Sequence, residues 1–269
     1  MKRILLTGAA GNLGKALRKQ LAGWADELRL SDIVKIDDLQ EGESFVNCDI
    51  SDLQAVIELV KDCDGIIHAG GQSIEGTWDN ILDRNIKGTY NIYEAARQQG
   101  VKRVFFTSSN HLVGFHERET LLDNDSPMRP DSLYGVSKGF GEVLARYYYD
   151  KFGIESTLAR IGSCFPEIPN RRMLSTWLSE RDLADLIKAT FDADRLGCTM
   201  VYAVSNNKAV WCDNRHASFI GWQPQDSSEP FADQPHLIEE GKRNDPNDPA
   251  IRYQGGAFVT AGHFDDEQE

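Results

Sequence analysis

The chain has 269 residues, of which 41% are hydrophobic and 26% are charged, a composition that excludes disordered, collagen-like and coiled-coil proteins. Its formal net charge of −13 repels phosphate backbones and anionic lipid, which argues against nucleic-acid and membrane partners. No apolar run approaches the ~18 residues of a membrane-spanning helix, and the first apolar stretch ends too early for a signal peptide.

Cysteine and histidine usage indicates a reducing compartment without a metal centre. The five cysteines are an odd number and include no C-x-x-C pair, which argues against a disulfide framework and a structural zinc site. The six histidines include no H-E-x-x-H motif. We therefore expect a cytoplasmic protein that binds no metal.

Short apolar runs alternate with amphipathic segments along most of the chain. The runs predict strands over 4–7, 28–30, 44–48, 65–68, 101–107, 155–160 and 200–204. Helical spacing of apolar residues predicts helices over 13–24, 53–60, 81–96, 134–152 and 183–191. In the helix over 81–96, Ile86, Tyr90 and Tyr93 are expected to face the core. This alternation predicts right-handed βαβ units and an α/β fold, a doubly wound parallel sheet covered on both faces.

The chain changes character after Ser163. Seven of its nine prolines lie between residues 166 and 249, and residues 225–248 are mostly polar. Prolines and polar clusters at this density predict irregular structure. We expect a small C-terminal lobe that packs on the sheet and is not an independent domain.

Three glycines follow the first predicted strand where the first helix begins. Gly8, Gly11 and Gly14 form a G-x-x-G-x-x-G pattern that also contains Asn12 and Leu13. Glycines at this point let the chain turn tightly and let a pyrophosphate approach the helix N-terminus. A turn that needs glycine only for its shape is the alternative, but the flanking strand and helix favour the nucleotide site.

Asp32 ends the second predicted strand and bears on the choice of cofactor. A carboxylate there can accept both ribose hydroxyls of NAD, whereas it faces the 2′-phosphate of NADP with like charge. NAD is therefore the predicted cofactor, and a carboxylate that only caps the next turn is the alternative. Further contacts are expected from the ends of the next strands, namely Asp49 and Ile50 at the adenine and Ala69, Gly70 and Gly71 at the second ribose.

Tyr134 and Lys138 lie four residues apart, hence on one face of a predicted helix. A phenol with a pKa of about 10 is a useful base at neutral pH only when positive charge stabilises the phenolate. Lys138 and an oxidised nicotinamide ring can supply that charge. Ser109, at the end of the fifth strand, can hydrogen-bond the same substrate oxygen. Alone the pair would indicate an exposed surface contact, but with the glycine turn and Ser109 it predicts acid–base chemistry.

The combined motifs resemble the extended short-chain dehydrogenase/reductase superfamily over nearly the whole chain. They are Gly8-x-x-Gly11-x-x-Gly14, Asp32, Asp49-Ile50, Asn85-Ile-Lys-Gly88-Thr89, Ser108-Ser109, Tyr134-Gly-Val-Ser-Lys138 and Gly221-Trp222-x-Pro224. Within the superfamily, residues 108–111, 160–164 and 172–177 are similar to the uronate dehydrogenases. The resemblance implies a Rossmann-like NAD-binding domain over 1–163 and a substrate-binding lobe over 164–269.

The resemblance also implies NAD-dependent oxidation of a hexuronate at the anomeric carbon to the aldarolactone. It implies that Tyr134 is the general base, that Lys138 lowers its pKa and holds the nicotinamide ribose, and that Ser109 orients the sugar oxygen. Asn85, expected to support the lysine, and Ile161 are the remaining implied cofactor residues. The other implied substrate residues are Ser73, Asn110, His111, Ser163 and, for the carboxylate, Arg172.

Each of these residues also has a structural interpretation. Arg172 lies beside Arg171, and one or both can be surface charges. His111 can be a packing histidine, and His68 is expected to be one. The open functional alternatives are a nucleotide-sugar epimerase or dehydratase of the same superfamily, or a non-catalytic NAD-binding protein. A homo-oligomer is expected, with the helix over 134–152 and its Tyr147, Tyr148 and Tyr149 at the subunit interface.

Overall fold

Seven parallel strands form the centre of the molecule, which is seen in a computed structural model that describes residues 2–243 and 245–266. Their order across the sheet is β3-β2-β1-β4-β5-β6-β7. The bounds are β1 Arg3–Thr7, β2 Glu27–Asp32, β3 Glu43–Asn47, β4 Gly65–His68, β5 Arg103–Ser109, β6 Glu155–Ile161 and β7 Cys198–Ala203. The predicted parallel α/β sheet is confirmed. Its order reverses between β1 and β4, where open sheets of this type leave a ligand-binding crevice.

Helices cover both faces of the sheet. Their bounds are α1 Asn12–Gln20, α2 Leu53–Val60, α3 Trp78–Ile81, α4 Gly88–Gln99, α5 Leu133–Phe152, α6 Met173–Thr176, α7 Glu180–Asp192, α8 Pro235–Lys242 and α9 Pro249–Arg252. Helices α2, α4 and α5 bury one apolar core against the sheet, and α1 and α7 bury a second core on the opposite face. Short 3-10 helices span Asn110–Val113, Arg215–Ile220, Glu229–Phe231 and Gly256–Thr260.

The helix predicted over 81–96 is built from three pieces. It starts as α3, passes through a π-helical segment at Leu82–Lys87 and continues as α4. Tyr93 is buried as expected, but Tyr90 is 42% exposed, so the prediction that it faces the core is wrong. Each hydrogen bond of a π-helix spans one residue more than in an α-helix, so this segment rotates the residues that follow it.

Helix α5 is less exposed than expected. Tyr148 is buried, stacks on Tyr93 at 5.5 Å between ring centroids, and donates its hydroxyl to Glu94. Tyr147, by contrast, is 47% exposed. Tyr148 therefore belongs to the core and is not available to a partner, whereas Tyr147 is.

The region after residue 163 is partly regular, because it supplies α7 and β7 to the sheet layers. The rest crosses the carboxyl edge of the sheet. Its last part, residues 249–260, is here called the C-terminal segment. Gln254 donates to the carbonyl oxygens of Glu117 and Thr120, and Gly255 donates to Gly114. The segment is thus fixed against the loop that follows β5.

Candidate active site

A cavity of about 1120 Å³ opens at the carboxyl ends of the strands. At one end, the glycine end, it is lined by the β1–α1 turn, Asp32, Asp49 and Ile50. At the other, the arginine end, it is lined by His111, Arg118, Arg172 and residues 255–258. Ser109, Tyr134 and Lys138 also line this cavity, so predicted cofactor, catalytic and substrate residues share one space.

The turn at the glycine end requires glycine. Gly8 has a φ of +71°, and a Cβ there would lie 2.5 Å from the carbonyl oxygen of Ala69. A Cβ on Gly14 would lie 2.3 Å from the carbonyl oxygen of Gly8. Gly11 caps α1 without a side-chain hydrogen bond, and the first turn of α1 holds no acidic residue. The first N–H groups of α1, including those of Asn12 and Leu13, therefore suit an anion such as a pyrophosphate.

Asp32 is held rigidly at this end of the cavity. Its Oδ2 accepts from Ala10 N and its Oδ1 from Val34 N, both at 3.0 Å. The next two residues, Ile33 and Val34, are uncharged and exposed. A fixed carboxylate beside uncharged side chains suits the ribose hydroxyls of NAD and disfavours a 2′-phosphate.

The turn after β4 is fixed by buried side chains. Thr7 Oγ1 accepts from Gly70 N at 3.0 Å and pairs with His68 Nδ1 at 2.9 Å, while His68 Nε2 pairs with Thr89 Oγ1 at 3.2 Å. Burial lowers the pKa of His68 to about 3, so the ring is neutral. His68 is thus a packing histidine, as expected, and it positions Ala69, Gly70 and Gly71 at the cavity wall.

Asn85 lies behind that wall and not in it. Its Oδ1 accepts from Gln72 N at 2.7 Å, and its Nδ2 donates to Gln72 O at 3.0 Å and to Ser137 Oγ at 2.9 Å. The amide of Asn85 is therefore engaged by Gln72 and Ser137, and its expected support of Lys138, through a hydrogen bond or a water, stays a prediction. Asn85 instead ties the loop after β4 to α5.

Tyr134, Lys138 and Ser109 meet at the middle of the cavity. Ser132 caps α5 by accepting from Gly135 N at 3.0 Å, which starts the helix just before Tyr134. Lys138 Nζ lies 5.4 Å from the centroid of the Tyr134 ring. All three side chains are buried in the protein. The predicted group is thus brought together in space.

Burial shifts the pKa values of the tyrosine and the lysine in the directions that favour their neutral forms. It raises the pKa of Tyr134 to about 12, although the Ser109 hydroxyl opposes this change. It lowers the pKa of Lys138 to about 8. The phenol therefore needs additional positive charge to act as a base near neutral pH, and a bound oxidised nicotinamide is a group that supplies it.

The predicted substrate residues differ in where they lie. Ser73 and His111 line the cavity, as does Ser163, whose hydroxyl is also 2.9 Å from Thr176 Oγ1. Asn110, the residue before His111, is not among the residues that line the cavity, and its contact with a sugar hydroxyl stays a prediction.

Arg172 supplies an unpaired cationic donor to the arginine end. Its Nε donates to Gln254 O at 2.5 Å, but its buried Nη2 has no hydrogen-bond partner among the described residues. Burial lowers its pKa to about 10, which still leaves it charged at neutral pH. Arg171 is exposed and donates to Leu237 O. An unsatisfied buried guanidinium is costly without an anion, so Arg172 fits a carboxylate and Arg171 does not.

Sequence reasoning missed several residues in the arginine end or in contact with it. Arg118 lines the cavity and donates to Ala250 O at 2.8 Å, and Phe258 stacks on His111 at 3.8 Å between ring centroids. Asp131 pairs with His111 Nδ1 at 2.8 Å. Arg118 and Asp131 lie in loops and Phe258 lies in a short 3-10 helix, so none of the three carries a periodic sequence signal.

The described part of the chain has no helix that is both long and apolar enough to cross a membrane. The same residues bring together no group of three histidine, cysteine or carboxylate side chains in a geometry that could bind a metal ion.

The sequence pattern of the NAD dependent epimerase/dehydratase family matches residues 4–181. The chain belongs to this family. The predicted superfamily resemblance is therefore confirmed. The family is named for its dependence on NAD, a cofactor that the glycine turn and the cavity described above are suited to bind.

Individual relatives narrow the comparison to the uronate dehydrogenases. The uronate dehydrogenase of Agrobacterium fabrum is 51% identical over 96% of this chain and 97% of the relative. The crystal structure of glucuronic acid dehydrogenase from Chromohalobacter salexigens is 53% identical, with a TM-score of 0.94 over 98% of this chain and 99% of that one. A mutant of Agrobacterium tumefaciens uronate dehydrogenase complexed with NAD is 50% identical, with a TM-score of 0.93 over 98% and 99%. The predicted resemblance to uronate dehydrogenases is confirmed.

Proposed function

We propose that the protein oxidises a hexuronate, D-glucuronate or D-galacturonate, at the anomeric carbon to the aldarolactone, with NAD as the cofactor. The observation that carries the proposal is the buried Nη2 of Arg172, which has no hydrogen-bond partner among the described residues and belongs to the cavity that also holds Tyr134 and Lys138. A planar guanidinium binds a carboxylate through two parallel hydrogen bonds. The names of the relatives point to the same substrate class.

The cofactor would lie along the glycine end. The N–H groups of the Gly8–Gly14 turn would hold the pyrophosphate, and Asp32 the ribose of the adenosine half. The adenine would lie against Asp49 and Ile50. Ala69, Gly70, Gly71, Ile161 and Lys138 would border the nicotinamide half, with Asn85 acting only through the loop that it anchors.

The oxidation moves one proton and one hydride out of the sugar. When bound, NAD accepts the hydride from the anomeric carbon. Tyr134 accepts the proton of the anomeric hydroxyl, Lys138 stabilises the phenolate, and Ser109 orients the oxygen that becomes the lactone carbonyl. Arg172 holds the carboxylate, and Ser73, His111 and Ser163 bind sugar hydroxyls. Because Arg172 holds the carboxylate of the substrate in place, the anomeric carbon would lie at Tyr134.

Initial rates of NADH formation with glucuronate, galacturonate, glucose and galactose test the proposal. The neutral sugars are matched controls, because they carry a hydroxymethyl group in place of the carboxylate. We expect NADH with at least one uronate, much lower kcat/KM with both neutral sugars, and lower kcat/KM with NADP than with NAD. No turnover of either uronate, or equal kcat/KM for uronates and neutral sugars, would contradict it.

We also propose that residues 164–269 act as the substrate-binding part of the chain, and that the protein is a cytoplasmic homo-oligomer. Arg172 and Phe258 of that part line the arginine end. The exposed Val143 and Tyr147 on α5 support a subunit contact through that helix. Light scattering after size exclusion tests the assembly, and a monomer at micromolar concentration would contradict it.

A further inference from the structure

Asp131 is a buried carboxylate outside the cavity that touches a residue inside it. Its side chain has no exposed surface, and its Oδ2 lies 2.8 Å from His111 Nδ1. Its Oδ1 accepts from Ser132 Oγ at 2.9 Å, and its backbone N–H donates to His111 O. Asp131 and His111 are thus joined through both side chain and backbone, just before the start of α5.

The space around this carboxylate leaves no room for another group. A Cβ on Gly114 would lie 1.8 Å from Asp131 Oδ2, and a Cβ on Gly255 would lie 2.1 Å from it. Gly255 N also donates to Gly114 O at 2.8 Å. Two glycines from distant parts of the chain therefore close around Asp131, which fixes the carboxylate in one position.

This arrangement determines which nitrogen of His111 is free. A carboxylate oxygen accepts hydrogen bonds, so the contact with Asp131 Oδ2 favours the tautomer that carries its proton on His111 Nδ1. In that tautomer Nε2 is the acceptor. Phe258 stacks on the ring, and Tyr134 meets it edge-on at 6.1 Å between centroids. The ring is thereby held in its plane beside the proposed base.

We propose that Asp131 is a positioning residue that holds His111 with Nε2 directed at a sugar hydroxyl, which donates to it next to Tyr134. The proposal rests on the proposed function for the identity of the sugar. Asp131 touches neither substrate nor cofactor, since it does not line the cavity. Its contribution passes through His111.

Asp131 also lies near Arg172, whose pKa its charge raises. A role as counter-charge to Arg172 is therefore the competing explanation. The two roles differ in their dependence on His111. A positioning role disappears when His111 is replaced, whereas a counter-charge role persists.

A double-mutant cycle separates them, with Asp131→Asn, His111→Gln, the double variant and, as a control, Asp185→Asn at a half-exposed position of α7 that pairs with Lys188. We expect Asp131→Asn to raise KM for the uronate about tenfold, with a smaller change in kcat and no change in NAD affinity. In the His111→Gln background, Asp131→Asn should change KM less than twofold. Asp185→Asn should behave as wild type.

Long-range 1H–15N spectra of the wild-type protein give a readout that needs neither the Asp131→Asn variant nor turnover. The His111 signal, assigned by its loss in His111→Gln, should show a protonated Nδ1 and an unprotonated Nε2. An unprotonated Nδ1, an unchanged KM in Asp131→Asn, or the same KM increase with and without His111 would overturn the proposal. If no uronate is oxidised, the proposed function fails, and the spectra still decide the role of Asp131.

Discussion

The glycine end and the arginine end of the cavity are built in different ways. The glycine end uses one continuous turn, Gly8–Gly14, whose shape is set by backbone contacts and by the strand before it. The arginine end joins His111, Arg172 and Phe258, which are far apart in sequence, and Asp131 contacts His111 from outside the cavity. A cofactor that binds to backbone groups can be recognised by a local motif, whereas the substrate end exists only after the chain has folded.

The two ends also differ electrostatically. At the glycine end, both oxygens of Asp32 accept backbone hydrogen bonds. At the middle and the arginine end, burial lowers the pKa of Lys138 to about 8 and of Arg172 to about 10. With a net charge of −13, the long-range field does not attract an anionic sugar. Local cations therefore provide the attraction, and they cost stability until a ligand arrives.

Replacement of Tyr134 by Phe should have the largest effect. The loss of the proton acceptor should lower kcat by about 10³-fold, within the range for general acid–base catalysis, and leave the dissociation constant of NAD unchanged. Stopped-flow NADH absorbance and NAD titration measure the two quantities. Tyr147→Phe on the exposed side of α5 is the matched control. A variant with wild-type kcat would contradict the role of Tyr134.

Arg172→Gln compared with Arg171→Gln tests the arginine end. Removal of the buried cation should raise KM for the uronate about 100-fold, because the substrate carboxylate loses its charged partner. The same change at the neighbouring, exposed Arg171 should alter KM less than twofold. The kcat/KM for the neutral sugars should be low, and it should be the same in wild type, Arg172→Gln and Arg171→Gln. Equal effects at the two arginines would show that Arg172 has no special role.

Lys138→Met tests the stability cost of the buried ammonium in the NAD-free protein. The pKa of Lys138 is about 8 when folded and 10.5 as its ordinary value, so the folded protein binds fewer protons between these limits and its free energy of unfolding rises with pH there. The methionine variant should be more stable than wild type at pH 7, by about 3 kcal/mol at most. This gain should shrink as the pH approaches 10.5.

Urea unfolding at pH 7 and pH 10 measures the difference for Lys138→Met. The exposed Lys102 gives the matched control, since Lys102→Met should change stability little at either pH. A stability difference between wild type and Lys138→Met that is independent of pH would contradict the lowered pKa. The methionine variant should also be inactive, because the phenolate loses its cation.

Asp32→Asn should have the smallest of these effects and concerns the glycine end alone. The amide keeps the shape of the side chain but removes its charge, so KM for NAD should rise about tenfold and KM for NADP should fall. Uronate KM at saturating cofactor should not change. Asp38→Asn, at an exposed position paired with Arg18, is the control. An unchanged ratio of KM for NAD to KM for NADP would contradict the role given to Asp32.

Regular elements and the glycine turn could be predicted because their signals are local. Strand alternation placed β4 at its observed bounds, and the Tyr134 to Lys138 spacing correctly predicted that both face one site. The side of α4 that faces the core could not be predicted, because the π-helical segment before Tyr90 leaves no periodic signal in the sequence. The 3-10 turn at Asn110–Val113 could not be predicted either, since from sequence a 3-10 turn after β5 cannot be distinguished from an extended strand end.

The arginine end could be predicted only in part. Arg172 was found through resemblance, but its adjacency to Arg171 left two candidates that only burial distinguishes. Asp131 reaches His111 from a loop and Phe258 reaches it from a 3-10 helix, and contacts between such distant segments depend on the whole fold. The position of Asn85 likewise depends on the whole fold, because its amide donates hydrogen bonds to Gln72 and Ser137 in other elements.

The most direct test of the account is the balance between uronate consumed and free NADH formed by the wild-type protein over a complete reaction. Oxidation predicts one NADH per uronate and a product that is lighter by two hydrogen atoms in mass spectra. An epimerase or dehydratase returns the hydride to its own substrate. Conversion of the sugar without accumulation of NADH, or NAD binding without any conversion, would contradict the account.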